Sequence, residues 1–216
     1  MKYLNRVRKP ETQYSLQSKL LMVAGALLLG ACLGTFSKYL DYRQAALPGI
    51  LQLLDEVLDL HNFLGMFAPW IVIAVFLSIK SPNPFQASAN VFAFFAGMVA
   101  SYYLYSNYVA GFFPKSYAMI WVGFTLLSPI LAFFCWYAKG TGWLAIVISA
   151  GILGFLINCT LAYGMWYVDL RSALHLVTLI LGALMLRRKS GKETLLVIGL
   201  SIPAAIFLDI LIPFSF

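Results

Sequence analysis

Charged residues are scarce in this sequence of 216 residues, since Asp, Glu, Lys and Arg together make up 11% of it. Soluble domains usually carry about 25% charged residues, so the composition excludes an ordinary water-exposed surface. Cysteines are few as well, and Cys32, Cys135 and Cys159 all fall inside apolar stretches without a CxxC spacing. We therefore expect small packing residues rather than disulfide bridges or metal ligands.

Catalytic and metal-binding motifs are missing too. The sequence has two histidines, His61 and His175, and it contains neither an HExxH nor a GxSxG motif. It also lacks a basic domain large enough to dock on a nucleic-acid duplex. We expect no enzyme activity, no cofactor, no bound metal and no nucleic-acid partner.

Long apolar runs are what the sequence has in abundance: 62% of its residues are hydrophobic and the mean hydropathy is +0.85. Most of these runs are about as long as the ~20 residues with which a helix crosses a bilayer. They cover approximately residues 20–40, 63–79, 85–106, 117–137, 143–165, 171–186 and 194–212. The pattern predicts an all-α transmembrane helical bundle of about seven spans, forming one domain (20–212) after a basic segment (1–19). The run 171–186 is short and starts with polar residues, so six spans are the alternative.

The basic residues are distributed unevenly between the loops. Eleven of the fifteen Lys and Arg residues lie on one side of the predicted membrane, and Lys38, Arg43, Lys115 and Arg171 lie on the other. Cytoplasmic loops carry the excess of Lys and Arg, and anionic lipid favours a basic inner face. We therefore expect a multi-pass membrane protein with a cytoplasmic N-terminus and an external C-terminus.

The loop between the first two runs has an amphipathic pattern over residues 48–61. Leu51, Leu54, Leu58 and His61 share one helical face, and a second face carries Gln52, Asp55, Glu56 and Asp59. Pro48 suits the first turn of a helix. The pattern predicts a short helix at the outer membrane surface, acting either as a lid or as a linker.

Small residues recur at four-residue spacing in three of the runs. The stripes include Ala26, Gly30 and Gly34 in the first run, Ala93 and Gly97 in the third, and Gly154 in the fifth. Such stripes let helix backbones approach closely in a membrane. They predict packing inside the bundle or, for the first run, docking on a separate membrane partner.

Polar and aromatic residues collect in the outer half of the predicted bundle. The candidate ligand-binding residues are Lys38, Asp41, Asn158, His175 and Asp209, with Tyr102 and Trp121 as walls. Ionisable residues within spans are costly and usually face a cavity or one another, and Asp209 is placed to pair with His175. One interpretation is an outward-facing pocket for an organic ligand. The alternative is a set of structural ion pairs within an interfacial aromatic belt.

Four stretches, covering residues 37–41, 90–98, 101–105 and 128–140, resemble a family of uncharacterised multi-pass membrane proteins of Gram-positive bacteria. That resemblance implies a bacterial membrane location and no mechanism. The chain is also loosely similar to the substrate-binding subunits of energy-coupling-factor vitamin transporters. This second resemblance implies a ligand near the outer face, a transporter ATPase module as partner, and docking through Ala26, Gly30 and Gly34. That family normally has six spans, whereas this sequence predicts seven.

Two hypotheses follow from these patterns. The first is a non-enzymatic transport or ligand-binding membrane protein with its pocket in the outer half of the bundle, such as the substrate-binding subunit of a multicomponent transporter. The second is an accessory or immunity-type membrane protein that acts through helix–helix contacts with a partner. A membrane enzyme that acts on lipid has no positive feature in its favour.

Overall fold

Helices account for about four fifths of the computed structural model, which describes residues 4–11, 14–44 and 46–211. The helices are α1 (Leu4–Val7), α2 (Leu16–Tyr42), α3 (Gly49–Leu58), α4 (Leu60–Gly65), α5 (Phe67–Lys80), α6 (Pro84–Tyr108), α7 (Lys115–Trp136), α8 (Trp143–Thr160), α9 (Ala173–Leu186) and α10 (Gly191–Leu211). A 3₁₀ turn at Tyr137–Lys139 follows α7, and strands β1 (Leu161–Tyr163) and β2 (Val168–Leu170) form an antiparallel hairpin. The all-α class is confirmed.

Five helices are long and apolar enough to cross a membrane: α2, α6, α7 with its 3₁₀ turn, α8 and α10. The helices α5 and α9 are apolar but have 14 residues each. At 1.5 Å per residue they are about 21 Å long, which is less than the ~30 Å of hydrocarbon in a typical bilayer. A membrane-embedded helical protein is supported, but the seven predicted runs are not seven helices of spanning length.

The predicted fifth run, 143–165, extends too far. Helix α8 ends at Thr160, and Leu161 has an extended backbone that begins the hairpin, with Leu161 paired to Leu170. The residues that follow include aromatic and β-branched side chains, which favour strands, and Gly164 suits the turn. Hydrophobicity alone does not separate such a hairpin from the end of an apolar helix.

The predicted amphipathic helix at 48–61 is two helices. Pro48 precedes the first helical residue of α3, and α3 ends at Leu58. Asp59 then adopts a left-handed backbone conformation with φ of 54°, and α4 starts at Leu60. A left-handed residue is a common way for a helix to end, and Asp tolerates this conformation better than most residues.

Successive long helices run back and forth between two ends of the bundle. The segments 4–11, 80–84, 137–142 and 187–191 meet at one end, which we call the basic end. The segments 43–44, 46–66, 109–114 and 161–172 are at the other, which we call the hairpin end. Each of α5 to α10 runs from one end to the other, whatever its length.

The two most extensive helix contacts are α2 with α6 and α8 with α10, and both use the predicted small-residue stripes. A Cβ atom added at Gly30 would lie 2.0 Å from the Phe94 carbonyl oxygen, and one at Gly97 would lie 2.2 Å from that of Leu27. Contacts this close require glycine.

The remaining stripe residues have the same role. Gly34 faces the backbone of Met98, Gly154 faces the backbone of α10 between Ser201 and Ala205, and Ala26 and Ala93 are buried. The stripes therefore pack inside the bundle. In particular, α6 covers the stripe of the first helix that docking on a partner would use.

Helix α1 is fixed to the basic end by hydrogen bonds. The Arg8 guanidinium donates to the carbonyl oxygens of Trp136 (2.7 Å) and Ile79 (3.0 Å), near the ends of α7 and α5. It also lies 4.1 Å from the centre of the Trp136 ring, a cation–π arrangement. The Thr141 amide donates to the Val7 carbonyl at 2.7 Å. Arg8 thus satisfies carbonyl groups that have no partner within their own helices.

Two further cations close the same end. Arg188 donates to the carbonyl oxygens of Ala138 and Gly140, each over 2.7 Å. The Lys139 ammonium donates to the Arg187 carbonyl at 2.8 Å. Basic residues that the sequence indicated only as topology signals therefore also hold α7, α8 and α9 together.

Candidate ligand-binding site

Three of the predicted ligand-binding residues meet at the hairpin end of α2 and α6. The Lys38 ammonium forms an ion pair with the Asp41 carboxylate one turn later. It also lies 5.2 Å from the centre of the Tyr102 ring. The Lys38 side chain is 10% exposed and that of Asp41 is 43% exposed. The buried ammonium is thus paired with the carboxylate of its neighbour and lies against an aromatic face.

A small cavity lies between this ion pair and α4. Two hydrogen bonds hold the end of α4 against its neighbours. The Leu64 carbonyl oxygen accepts from Trp70 Nε1 of α5 (2.9 Å), and that of Gly65 accepts from the Tyr117 hydroxyl of α7 (3.1 Å). Tyr102 and Trp121 both line the cavity, as predicted for the walls of a pocket, but its volume is about 30 Å³. That space holds one or two water molecules; ligand pockets are usually ~300–1,000 Å³.

Asn158 and Asp209 lie in a different part of the hairpin end. The Asn158 amide donates to the Ala205 carbonyl of α10 at 2.9 Å and accepts from the Tyr163 hydroxyl at 2.6 Å. Burial, with a smaller contribution from the Asp209 carboxylate, raises the pKa of the Tyr163 phenol. These contacts join α8, the hairpin and α10 through the Asn158 side chain.

His175 is buried at the start of α9, away from both groups. Its Nδ1 shares a hydrogen bond of 2.8 Å with the Ser172 hydroxyl, and its ring packs edge-on against Phe63 of α4 with centroids 5.1 Å apart. Its Nε2 has no hydrogen-bond partner in the described part of the chain. The expected pair of His175 with Asp209 is therefore not formed.

The predicted polar face of 48–61 contains a buried acid. The Asp55 carboxylate accepts from the backbone amide and Nδ1 of His61, both at 2.8 Å, which fixes the angle between α3 and α4. Three apolar side chains of α3, those of Ile50, Leu53 and Val57, are exposed. An exposed apolar side of this kind suits a helix that lies on lipid.

A groove of about 560 Å³ lies between α6 and α7 in the hairpin-end half. Its lining residues are Val99, Ala100, Tyr103, Leu104, Asn107, Tyr108, Phe113, Ala118 and Val122. None of the seven predicted ligand-binding residues is among them. Tyr103 is shared, because it lines both the groove and the small cavity beside it.

Among the described residues that line this groove, Tyr103 has a buried polar atom without a hydrogen-bond partner. The residue is 8% exposed, and its buried hydroxyl has no hydrogen-bond partner in the described residues. A buried polar group without a partner costs about 1–3 kcal/mol. The sequence offered no signal to separate Tyr103 from Tyr102, because the two are adjacent in one tyrosine-rich helix end.

In comparisons with known proteins, no family model, no curated protein and no solved structure matches this chain. Its function is therefore inferred from the arrangement of its own residues.

Proposed function

We propose that this chain is a multi-pass protein of the bacterial plasma membrane in which all seven apolar helices cross the bilayer, with the basic end in the cytoplasm. Among the described residues, the segments of the basic end carry eight Lys and Arg residues and those of the hairpin end carry two, Arg43 and Arg171, which agrees with the bias of cytoplasmic loops. The short helices α5 and α9 connect the same two ends as their longer neighbours. A bilayer adapts to short spans by local thinning.

Within this frame the proposed activity is non-enzymatic ligand binding, as in a transport protein or its substrate-binding subunit. The observation that carries it is the groove of about 560 Å³, which has the size of known ligand sites and is lined by the unpartnered Tyr103. A ligand with a hydrogen-bonding group would satisfy that hydroxyl. The site is therefore proposed at Tyr103 and its neighbours, with Tyr102 and Trp121 behind it.

The alternative, an accessory protein that acts through its small-residue stripes, has lost its main support. Gly30, Gly34 and Gly97 are occupied by backbone contacts between α2 and α6. An ATPase module or another subunit would need a different docking surface, and the exposed cations of the basic end are the nearest candidate. No observation among the described residues favours this alternative over ligand binding.

The test is a ligand screen on the full chain purified in mild detergent, read as the temperature of thermal unfolding. A ligand that binds only the folded protein raises this temperature. The groove-filling variant Ala100→Trp has a matched control in Ala24→Trp, which places the same side chain on an exposed face of α2. We expect some compounds to stabilise the wild type and Ala24→Trp but not Ala100→Trp.

Two results would contradict the proposal. One is a broad panel of soluble metabolites and lipids that leaves the unfolding temperature of the wild type unchanged. The other is stoichiometric co-purification of a partner protein, seen by native mass spectrometry, with no bound small molecule; this would favour the accessory function.

A further inference from the structure

The lining of the groove between α6 and α7 is electrically neutral. Its nine residues include no Asp, Glu, Lys, Arg or His, and the polar atoms are the hydroxyls of Tyr103 and Tyr108 and the amide of Asn107. Burial of a charge without a partner is costly. The part of a ligand that enters the groove is therefore uncharged.

One side of the groove lies between two helices that are long enough to cross a membrane. Its rim carries Leu104 and Val122, which are exposed on two of the helices long enough to cross a membrane, and Met119 is exposed next to Val122 on α7. Exposed apolar side chains at this level of a spanning helix face hydrocarbon. A molecule would thus enter from the bilayer.

Polarity increases along the groove towards the hairpin end. Val99, Tyr103 and Asn107 follow one another at four-residue spacing on α6, so they are about 6 Å apart along one side of the helix. Val99 and Tyr103 are buried and Asn107 is exposed. A ligand that matches this order would place an apolar chain beside Val99, one oxygen near Tyr103 and a polar head near Asn107.

We infer that the groove binds a neutral membrane lipid, with its hydrocarbon chain between α6 and α7 and a hydroxyl or carbonyl oxygen hydrogen-bonded to Tyr103. This inference rests on the proposed function and names the class of ligand for the same site. The Tyr103 hydroxyl is covered in the structure, so binding displaces a neighbouring side chain. Phe113, which is exposed and packs edge-on against the Tyr103 ring at 5.5 Å, is the side chain best placed to move.

Monoolein, a neutral lipid with one chain, ester and hydroxyl oxygens, is the probe. Full-length protein is freed of co-purified lipid by detergent exchange, and monoolein binding is then measured by native mass spectrometry and thermal unfolding. We expect binding to the wild type, loss in Ala100→Trp, and retention in Ala24→Trp. Tyr103→Phe should weaken binding by about 5–10-fold, as for the loss of one hydrogen bond, whereas Tyr105→Phe, outside the groove lining, should not.

The outcomes separate this inference from the proposed function. Stabilisation by a water-soluble compound, abolished by Ala100→Trp, with no effect of monoolein, would overturn the lipid but leave a ligand-binding protein. Equal monoolein binding by all four variants would show lipid at the general surface and overturn the inference. If neither kind of compound binds, both proposals fail.

Discussion

At the scale of single residues, the adjacent tyrosines Tyr102 and Tyr103 have different surroundings although they are neighbours in the sequence. Tyr102 faces the Lys38 ammonium, whereas Tyr103 is buried with an unpartnered hydroxyl. The two are neighbours on a helix and so point in different directions. The sequence predicted an aromatic wall here. Which of the two hydroxyls lacks a hydrogen-bond partner depends on how α7 packs against α6, and the local sequence pattern does not predict that packing.

Removing the Tyr103 hydroxyl should have opposite effects with and without ligand. Without ligand, Tyr103→Phe removes a buried group that has no partner, so we expect the free energy of unfolding to rise by about 1 kcal/mol. Thermal unfolding of the lipid-free protein in detergent measures this, with Tyr105→Phe as the control. A lower unfolding temperature for Tyr103→Phe would show that the hydroxyl already has a partner.

The α2–α6 contact makes a second prediction at this scale. A Cβ at Gly97 would lie 2.2 Å from the Leu27 carbonyl oxygen, so Gly97→Ala should force the helices apart and cost about 1–3 kcal/mol. Gly123 of α7 has open space around it, and Gly123→Ala should be neutral or slightly stabilising. Unfolding temperatures that are equal for the two variants would contradict the close approach.

At the scale of elements, the apolar runs correctly predicted where long helices occur, because length and hydrophobicity are properties of the local sequence. The β-hairpin and the break at Asp59 were missed. The hairpin continues an apolar run without a change in composition, and the break depends on one left-handed residue. Asp55 was assigned to a solvated face but is buried, because His61 supplies its partners from the next helix.

Helix α1 is short, with four residues, and its position depends on Arg8. In Arg8→Ala the carbonyl groups of Ile79 and Trp136 lose a charged donor, which is worth about 1.5–3 kcal/mol. We expect the N-terminal segment to become sensitive to protease at concentrations that leave the wild type intact. Arg6→Ala, on the exposed side of the same helix, should behave like the wild type; equal cleavage of both variants would indicate a general charge effect.

At the scale of the whole molecule, the sequence predicted that the polar residues lie towards one end of the bundle but did not predict their partners. Lys38, Asn158 and His175 all lie at the hairpin end, as expected, yet they belong to separate groups. Which helices become neighbours is decided by packing over the full bundle, here α2 with α6 and α8 with α10. Charge bias and hydropathy carry no information on that pairing.

The proposed topology is tested across the two short helices. In intact cells, cysteines introduced at Glu56 and Asp169 should react with a membrane-impermeant maleimide, and those at Lys80 and Lys189 should react only after permeabilisation. Glu56 and Lys80 lie on either side of α5, and Asp169 and Lys189 lie on either side of α9. If both sites of a pair are equally accessible to the maleimide, the helix between them does not cross the membrane. The native Cys32, Cys135 and Cys159 are replaced by alanine beforehand.

The pairing of α2 with α6 also sets an order of events during synthesis. Roughly 65 residues separate the ends of these helices at Tyr42 and Tyr108, which takes several seconds at ~5–20 residues per second. During that interval the glycine face of α2 has no partner within the chain. The insertion machinery or lipid must shield it until α6 emerges, so a nascent chain stalled before Tyr108 should expose a surface that the finished protein never presents.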